Sequence, residues 1–297
     1  MTVPVLTTLP TPVIPEQEAD AAGQASIRPR VRRPSRPWGL YLAIAVVVLA
    51  ILWAVIPGAF APGDPLTGEP ADKLLPPSAA HWFGTDTLGR DLFGRVVHGA
   101  VHSLSGALIA VTVGLGVGTL IGAIAGAVGG VLDDVLMRVV DVLLAIPGLL
   151  LSLSVIILLG FGTVNAAIAV GLGSIAAFAR LMRAEVARVR RTEYVEAAYG
   201  SGATFFAVLR RHVLPNSLTP IVALAALQFG AAILAISTLG FLGYGAPPPT
   251  PEWGLLIAEG RNYIGTAWWL TALPGLVVVV VVLSANRISH RLGRNTR

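Results

Sequence analysis

The sequence predicts an all-α integral membrane protein with six transmembrane helices. Three observations carry that prediction. Hydrophobic residues make up 55% of the chain and charged residues only 12%, against about a quarter charged in a soluble domain, so lipid must cover much of the surface. Five or six runs approach the ~20 apolar residues needed to cross the hydrocarbon core. The net charge of +5 is made by short basic blocks beside those runs, which is the pattern of membrane orientation and not of nucleic-acid binding.

Residues 1–37 are expected to form a disordered cytoplasmic tail. The stretch 1–27 is rich in Pro, Thr, Ala and acidic residues without apolar period, and Arg28, Arg30, Arg32, Arg33 and Arg36 follow. The run 38–56 has no charge. A basic block before an apolar run also opens a signal peptide, and Ala59-Phe60-Ala61 resembles a cleavage site. The run is longer than the roughly 7–15 residues of a signal h-region, however, so a retained first helix is expected.

An extracytoplasmic loop is expected over 57–100, with prolines at 57, 62, 65, 70, 76 and 77. The core transmembrane region, 101–286, opens with a second span over about 101–129. It carries Gly114, Gly118, Gly122, Gly126 and Gly130 at four-residue spacing. Such glycines share one helix face and admit a neighbouring backbone, and simple helix packing is their expected use. In a third span, about 134–160, Asp134, Arg138 and Asp141 stand i, i+4 and i, i+3, so they are expected to pair along one face. Pro147 is expected to kink that helix.

A fourth span covers about 164–179, and the cytoplasmic segment 180–216 is too polar for lipid. A fifth span runs over about 217–243, then a stiff loop holds Pro247, Pro248, Pro249 and Pro251. The sixth span, about 266–286, starts with Trp268 and Trp269, which suit an interface. A cytoplasmic tail, 287–297, ends the chain. With the N-terminus inside, seventeen of the twenty arginines face the cytoplasm. The positive-inside rule therefore predicts that both termini are cytoplasmic.

Several chemistries lack the residues they need. The single lysine, Lys73, follows Asp72 and not a glycine, so there is no P-loop to hold ATP or its Mg. His98 and His102 stand i, i+4, but no third metal ligand follows at a recognisable spacing. No Gly-x-Ser-x-Gly elbow occurs. The absence of cysteine excludes thiolate metal sites and iron–sulfur clusters within this chain. The expectation is a non-enzyme with no cofactor of its own.

The segment from Arg191 to Asn216 carries the functional reading. Glu193 to Ala198 is a good helix former, and Gly200 and Gly202 break or cap it. A second amphipathic turn, Phe205 to Val213, is expected to end before Pro215. Two short helices with a glycine joint make a rigid knob suited to a groove on a partner.

Glu196-Ala197-Ala198, Gly202 six residues after Glu196, and Leu214-Pro215 resemble the coupling-loop signature of ABC importer permeases. The resemblance extends over most of the chain. Phe83-Gly84-Thr85-Asp86, Leu88-Gly89-Arg90-Asp91, Pro147-Gly148-Leu149, Phe241-Leu242-Gly243, Pro251-Glu252-Trp253-Gly254 and Pro274-Gly275 are similar to the dipeptide, oligopeptide and nickel importer subfamily. They fit its second, shorter-loop permease. The segment Arg287-Ile288-Ser289-His290 departs from it, lacking the family's common Gly-Asp tail.

The resemblance implies the type I importer permease fold in the bacterial plasma membrane. It also implies a second permease subunit, two cytoplasmic ATPase subunits that bind ATP and Mg, an extracytoplasmic solute-binding protein and a peptide solute. By the same resemblance Glu196, Ala197, Ala198, Gly202, Leu214 and Pro215 couple to the ATPase. Nickel or an opine is the alternative solute. Asp86, Arg90 and Asp91 are expected to pair locally and fix the outer loop without touching solute.

An ion-coupled secondary transporter is the rival class. It relies on ionisable residues within the membrane, whereas the centres of spans two, four, five and six carry no charge. Gln228 is the most polar group within span five.

Overall fold

The computed structural model describes residues 38–292. The expected tail 1–37 and the final arginines, Arg294 and Arg297, lie outside the described residues. The helices of eight residues or more, in chain order, are α1 (Trp38–Val55), α2 (Leu92–Val128), α3 (Gly130–Ala145), α4 (Gly148–Leu159), α5 (Thr163–Arg190), α6 (Glu193–Gly200), α7 (Phe205–Phe241), α8 (Trp253–Gly260) and α9 (Trp269–Leu292). Among the described residues the only extended pairing is an isolated bridge between Thr85 and Asp91. Helices α1, α2, α5, α7 and α9 are each long and apolar enough to cross a membrane.

The expected third span is a broken pair. Helices α3 and α4 meet at 94°, and they make a sixth crossing if counted as one span. Pro147 is the cause. Its ring disfavours helical geometry in the preceding residue, and Ile146 is extended at φ −86°, ψ 125°.

Other boundaries move for local reasons. Helix α2 starts at Leu92, not near residue 101, because the Asp91 carboxylate accepts the Gly94 N–H at 2.7 Å and caps it. At 37 residues it is about 55 Å long and projects beyond a ~30 Å hydrocarbon core. Helix α5 does not stop at residue 179 but continues to Arg190, since arginine is a good helix former. Helix α7 does not stop before Pro215. A π-helical turn, Leu209–Val213, widens the helix there, and the chain passes through the proline without a break.

The glycine ladder explains the centre of the fold. A Cβ on Gly118 would meet the Ile175 carbonyl and the Phe178 side chain. One on Gly122 would strike the Ala179 carbonyl, and one on Gly126 the Arg183 carbonyl and Val186. With Gly114 against Gly171 and Ser174, four glycines of α2 form a seam along α5. Gly130 leaves the series: it lies past the helix end at φ +60° with open space around it. Beneath the seam, Arg190 donates from Nη1 to the Gly126 carbonyl at 2.9 Å.

Candidate functional site

Helix α6 is a short platform fixed from below. Val195 is fully buried, and Ala198 packs against the main core, to which Val186, Val189, Val208 and Val213 belong. The opposite face carries Glu193, Glu196 and Ala197, all exposed. Neither glutamate has an ion-pair partner among the described residues. Both lie in the first turn, where the helix dipole favours negative charge. The helix is therefore fixed while its carboxylates are left free to meet a partner.

The end of α6 is closed by Gly202. Its N–H donates to the Tyr199 carbonyl at 2.9 Å, and the Ala203 N–H donates to Ala198 at 3.2 Å. These are the two bonds of a Schellman cap. Gly202 has φ +84°, and a Cβ placed on it would meet open space, so its requirement is conformational and not steric. The turn reverses the chain so that α7 begins beside α6. Leu214 packs on the core, its N–H reaching the Leu209 carbonyl across the π turn, while Pro215 is exposed. Around this platform stand Tyr194, Tyr199, Phe205 and Phe206, the last 78% exposed. Exposed aromatics beside unpaired charges are the makings of a docking surface.

The charges of the third span pair differently from the expectation. Asp141 accepts from Arg180 Nη2 at 2.6 Å, and Asp133 takes a two-pronged bond from Arg183 at 2.5 and 2.8 Å. Asp134 and Arg138 make no ion pair among the described residues. The arginines of α5 lie across the groove from α3 and reach its acids directly, so the contacts between helices replace those within α3.

On the outer loop, Asp86 and Arg90 meet at 2.6 Å with both side chains buried. Asp91 is not part of that pair: it caps α2 and accepts from His81 Nδ1 at 3.1 Å. Two residues missed in the sequence complete the cluster. Arg95 is fully buried and bonds from Nη1 to Asp86 at 2.8 Å and to Glu259 at 2.6 Å. Glu259 belongs to α8, 164 positions away, and no local spacing announces it.

Glu252 is a further ionisable residue that no spacing in the sequence marks. It is buried, and its carboxylate caps α8 by accepting from the Gly254 and Leu255 N–H groups at 2.9 and 3.0 Å, while Ser103 donates at 3.2 Å. Burial pushes its carboxyl above the usual range despite these bonds.

Comparison with known proteins places this architecture. Residues 118–297 match the family model "Binding-protein-dependent transport system inner membrane component". The chain is 40% identical over 241 residues to the probable D,D-dipeptide transport system permease protein DdpC of Escherichia coli (strain K12), covering 81% of each chain. It is 41% identical over 262 residues to the glutathione transport system permease protein GsiD of Shigella flexneri serotype 5b, covering 88% of this chain and 86% of that one.

Among solved structures, the inward-facing MetNI methionine ABC transporter superposes with a TM-score of 0.58 at 18% identity. The match covers 69% of this chain and 98% of that one. An amino acid ABC transporter with histidines gives 0.54 at 15%, covering 68% and 94%. Both show the shared fold. The chain belongs to the family of binding-protein-dependent transport system inner membrane components, and it is a multi-pass permease subunit of an ABC importer.

Proposed function

We propose that this permease imports short peptides and is driven by separate ATPase subunits that dock on α6 and the turn into α7. The observation that carries the reading is the platform itself. Glu196 and Ala197 are exposed on a helix whose other face is locked into the core through Val195 and Ala198. Force applied there passes to α5 and α7 and is not lost in a flexible loop. Reversing a 1:99 conformational population takes about 5.5 kcal/mol of differential binding, and only a rigid contact transmits that.

Peptide as solute follows from relatives whose names specify dipeptide or glutathione transport. The seventeen arginines on one side of the topology support termini in the cytoplasm. Helices α3 and α4 leave Val131, Val135, Val139, Ile157 and Leu158 exposed, which supports a second permease subunit as the other half of the pathway. An extracytoplasmic binding protein would deliver the solute. ATP and Mg would be bound by the ATPases.

Purification and uptake test the reading together. The tagged chain should bring down an ATPase, and cells lacking it should lose uptake of dipeptides. A chain that purifies without an ATPase would overturn the coupling. Loss of nickel uptake with peptide uptake intact would overturn the solute.

A further inference from the structure

A cavity of about 170 Å³ lies among the middles of three long helices, lined by Val111 of α2, Gly173 and Ser174 of α5, and Gln228 of α7, with Gly148 and Ser152 of α4. None of its lining residues is ionisable. The N-terminus of α4, freed by the Pro147 break, opens into it.

The first N–H groups of that helix have no intrahelical acceptor, and Pro147 offers no side-chain cap. The dipole adds roughly half a positive charge there. Ser152 is only 4% exposed. Several hydroxyls on the spans fold back on the preceding turn, as Ser154 does to the Leu150 carbonyl at 2.9 Å and Thr238 to Leu234 at 2.8 Å. Ser152 does not, and neither its hydroxyl nor the Gln228 amide has a protein partner among the described residues. The unpartnered hydroxyl of a buried serine, a free amide and a helix N-terminus thus converge on one apolar-walled space.

We infer that this cavity is a transit site for the C-terminal carboxylate of the peptide, held by the α4 N-terminus, the Ser152 hydroxyl and the Gln228 amide. The inference rests on the peptide-import reading. Dipoles suit the task better than a fixed charge would, because a solute in transit must be held yet released. The rest of the peptide would then extend toward the exposed side of α3 and α4.

The test uses the transporter purified with its partner subunits but without the binding protein, so that the latter's selectivity does not enter. Dialanine should raise Tm in a saturable way and dialanine amide should not. Ser152→Ala with Gln228→Leu should abolish the rise, and Ser152→Thr should keep it. With the binding protein restored, vesicle uptake of dialanine by the double variant should fall about ten-fold, equivalent to about 1.4 kcal/mol.

Equal shifts with both peptides, no shift with either, or a shift that survives the double substitution would overturn the site. If wild-type vesicles take up no dialanine although the carboxylate-specific shift is present and Ser152-dependent, the peptide reading fails and the carboxylate site stands.

Discussion

Arg95 and Glu259 meet at 2.6 Å across 164 positions of sequence, and their contact ties the start of α2 to the end of α8. Arg95 is fully buried and also holds Asp86, so Glu259 balances a charge that water cannot reach. Replacing one member of such a cluster leaves the others uncompensated. Glu259→Ala should destabilise the chain by about 2 kcal/mol, and Arg95→Met with Glu259→Leu should cost less than the single change. Thermal unfolding in detergent, followed by intrinsic tryptophan fluorescence, checks the order.

The seam between α2 and α5 gives a sharper contrast. A methyl group on Gly122 has nowhere to go except into the Ala179 carbonyl, whereas one on Gly116 meets open space. Gly122→Ala should therefore destabilise by about 1–3 kcal/mol. Gly116→Ala should be neutral or stabilise by up to about 1 kcal/mol. The same unfolding assay on both variants separates a packing seam from a mere run of helical glycines.

The cap on α6 makes a conformational prediction. Gly202 sits at φ +84°, a region that costs an L-residue about 1–2 kcal/mol. Gly202→Ala should loosen α6 and reduce uptake several-fold with the chain still inserted. Gly200→Ala, at a helical position with free space, should leave uptake unchanged. Membrane abundance and peptide uptake, measured in parallel, check this pair.

Glu252 sets a pH dependence. Its carboxyl is raised above 4.5 by burial, so the folded chain holds the proton more tightly than the unfolded one. The stabilisation is fully present below pH 4.5 and is lost as pH rises through the higher folded value. Glu252→Gln should flatten that slope. Unfolding midpoints across the acid-to-neutral range give the comparison.

What was legible in the sequence was short-range. The Gly114 to Gly126 ladder could be read because its period is that of one helix face, and Pro147 because its effect falls on the residue beside it. The angle at Pro147 could not be read, since it depends on what α3 and α4 pack against. Pro215 looked like a stop because the π turn that admits it has no compositional mark. Spacing pairs Asp141 with Arg138, yet Arg180 wins because α5 lies alongside, and that neighbourhood is a tertiary fact. Arg95 and Glu259 were silent for the same reason. The short helix carrying Glu196 and its glycine stop near Gly202 were legible, because both follow from local propensity. Its anchoring by Val195 and its aromatic rim were visible only in three dimensions.

The proposed coupling role of Glu196 is tested most directly by peptide-stimulated ATP hydrolysis and peptide uptake in vesicles holding the complete transporter with Glu196→Lys. Reversing the charge on an exposed, unpaired position should leave insertion and subunit folding intact. The account predicts that uptake and peptide-stimulated hydrolysis are both lost by ten-fold or more, as for a broken charged contact of about 1.5–3 kcal/mol. Wild-type uptake by the Glu196→Lys transporter would contradict it.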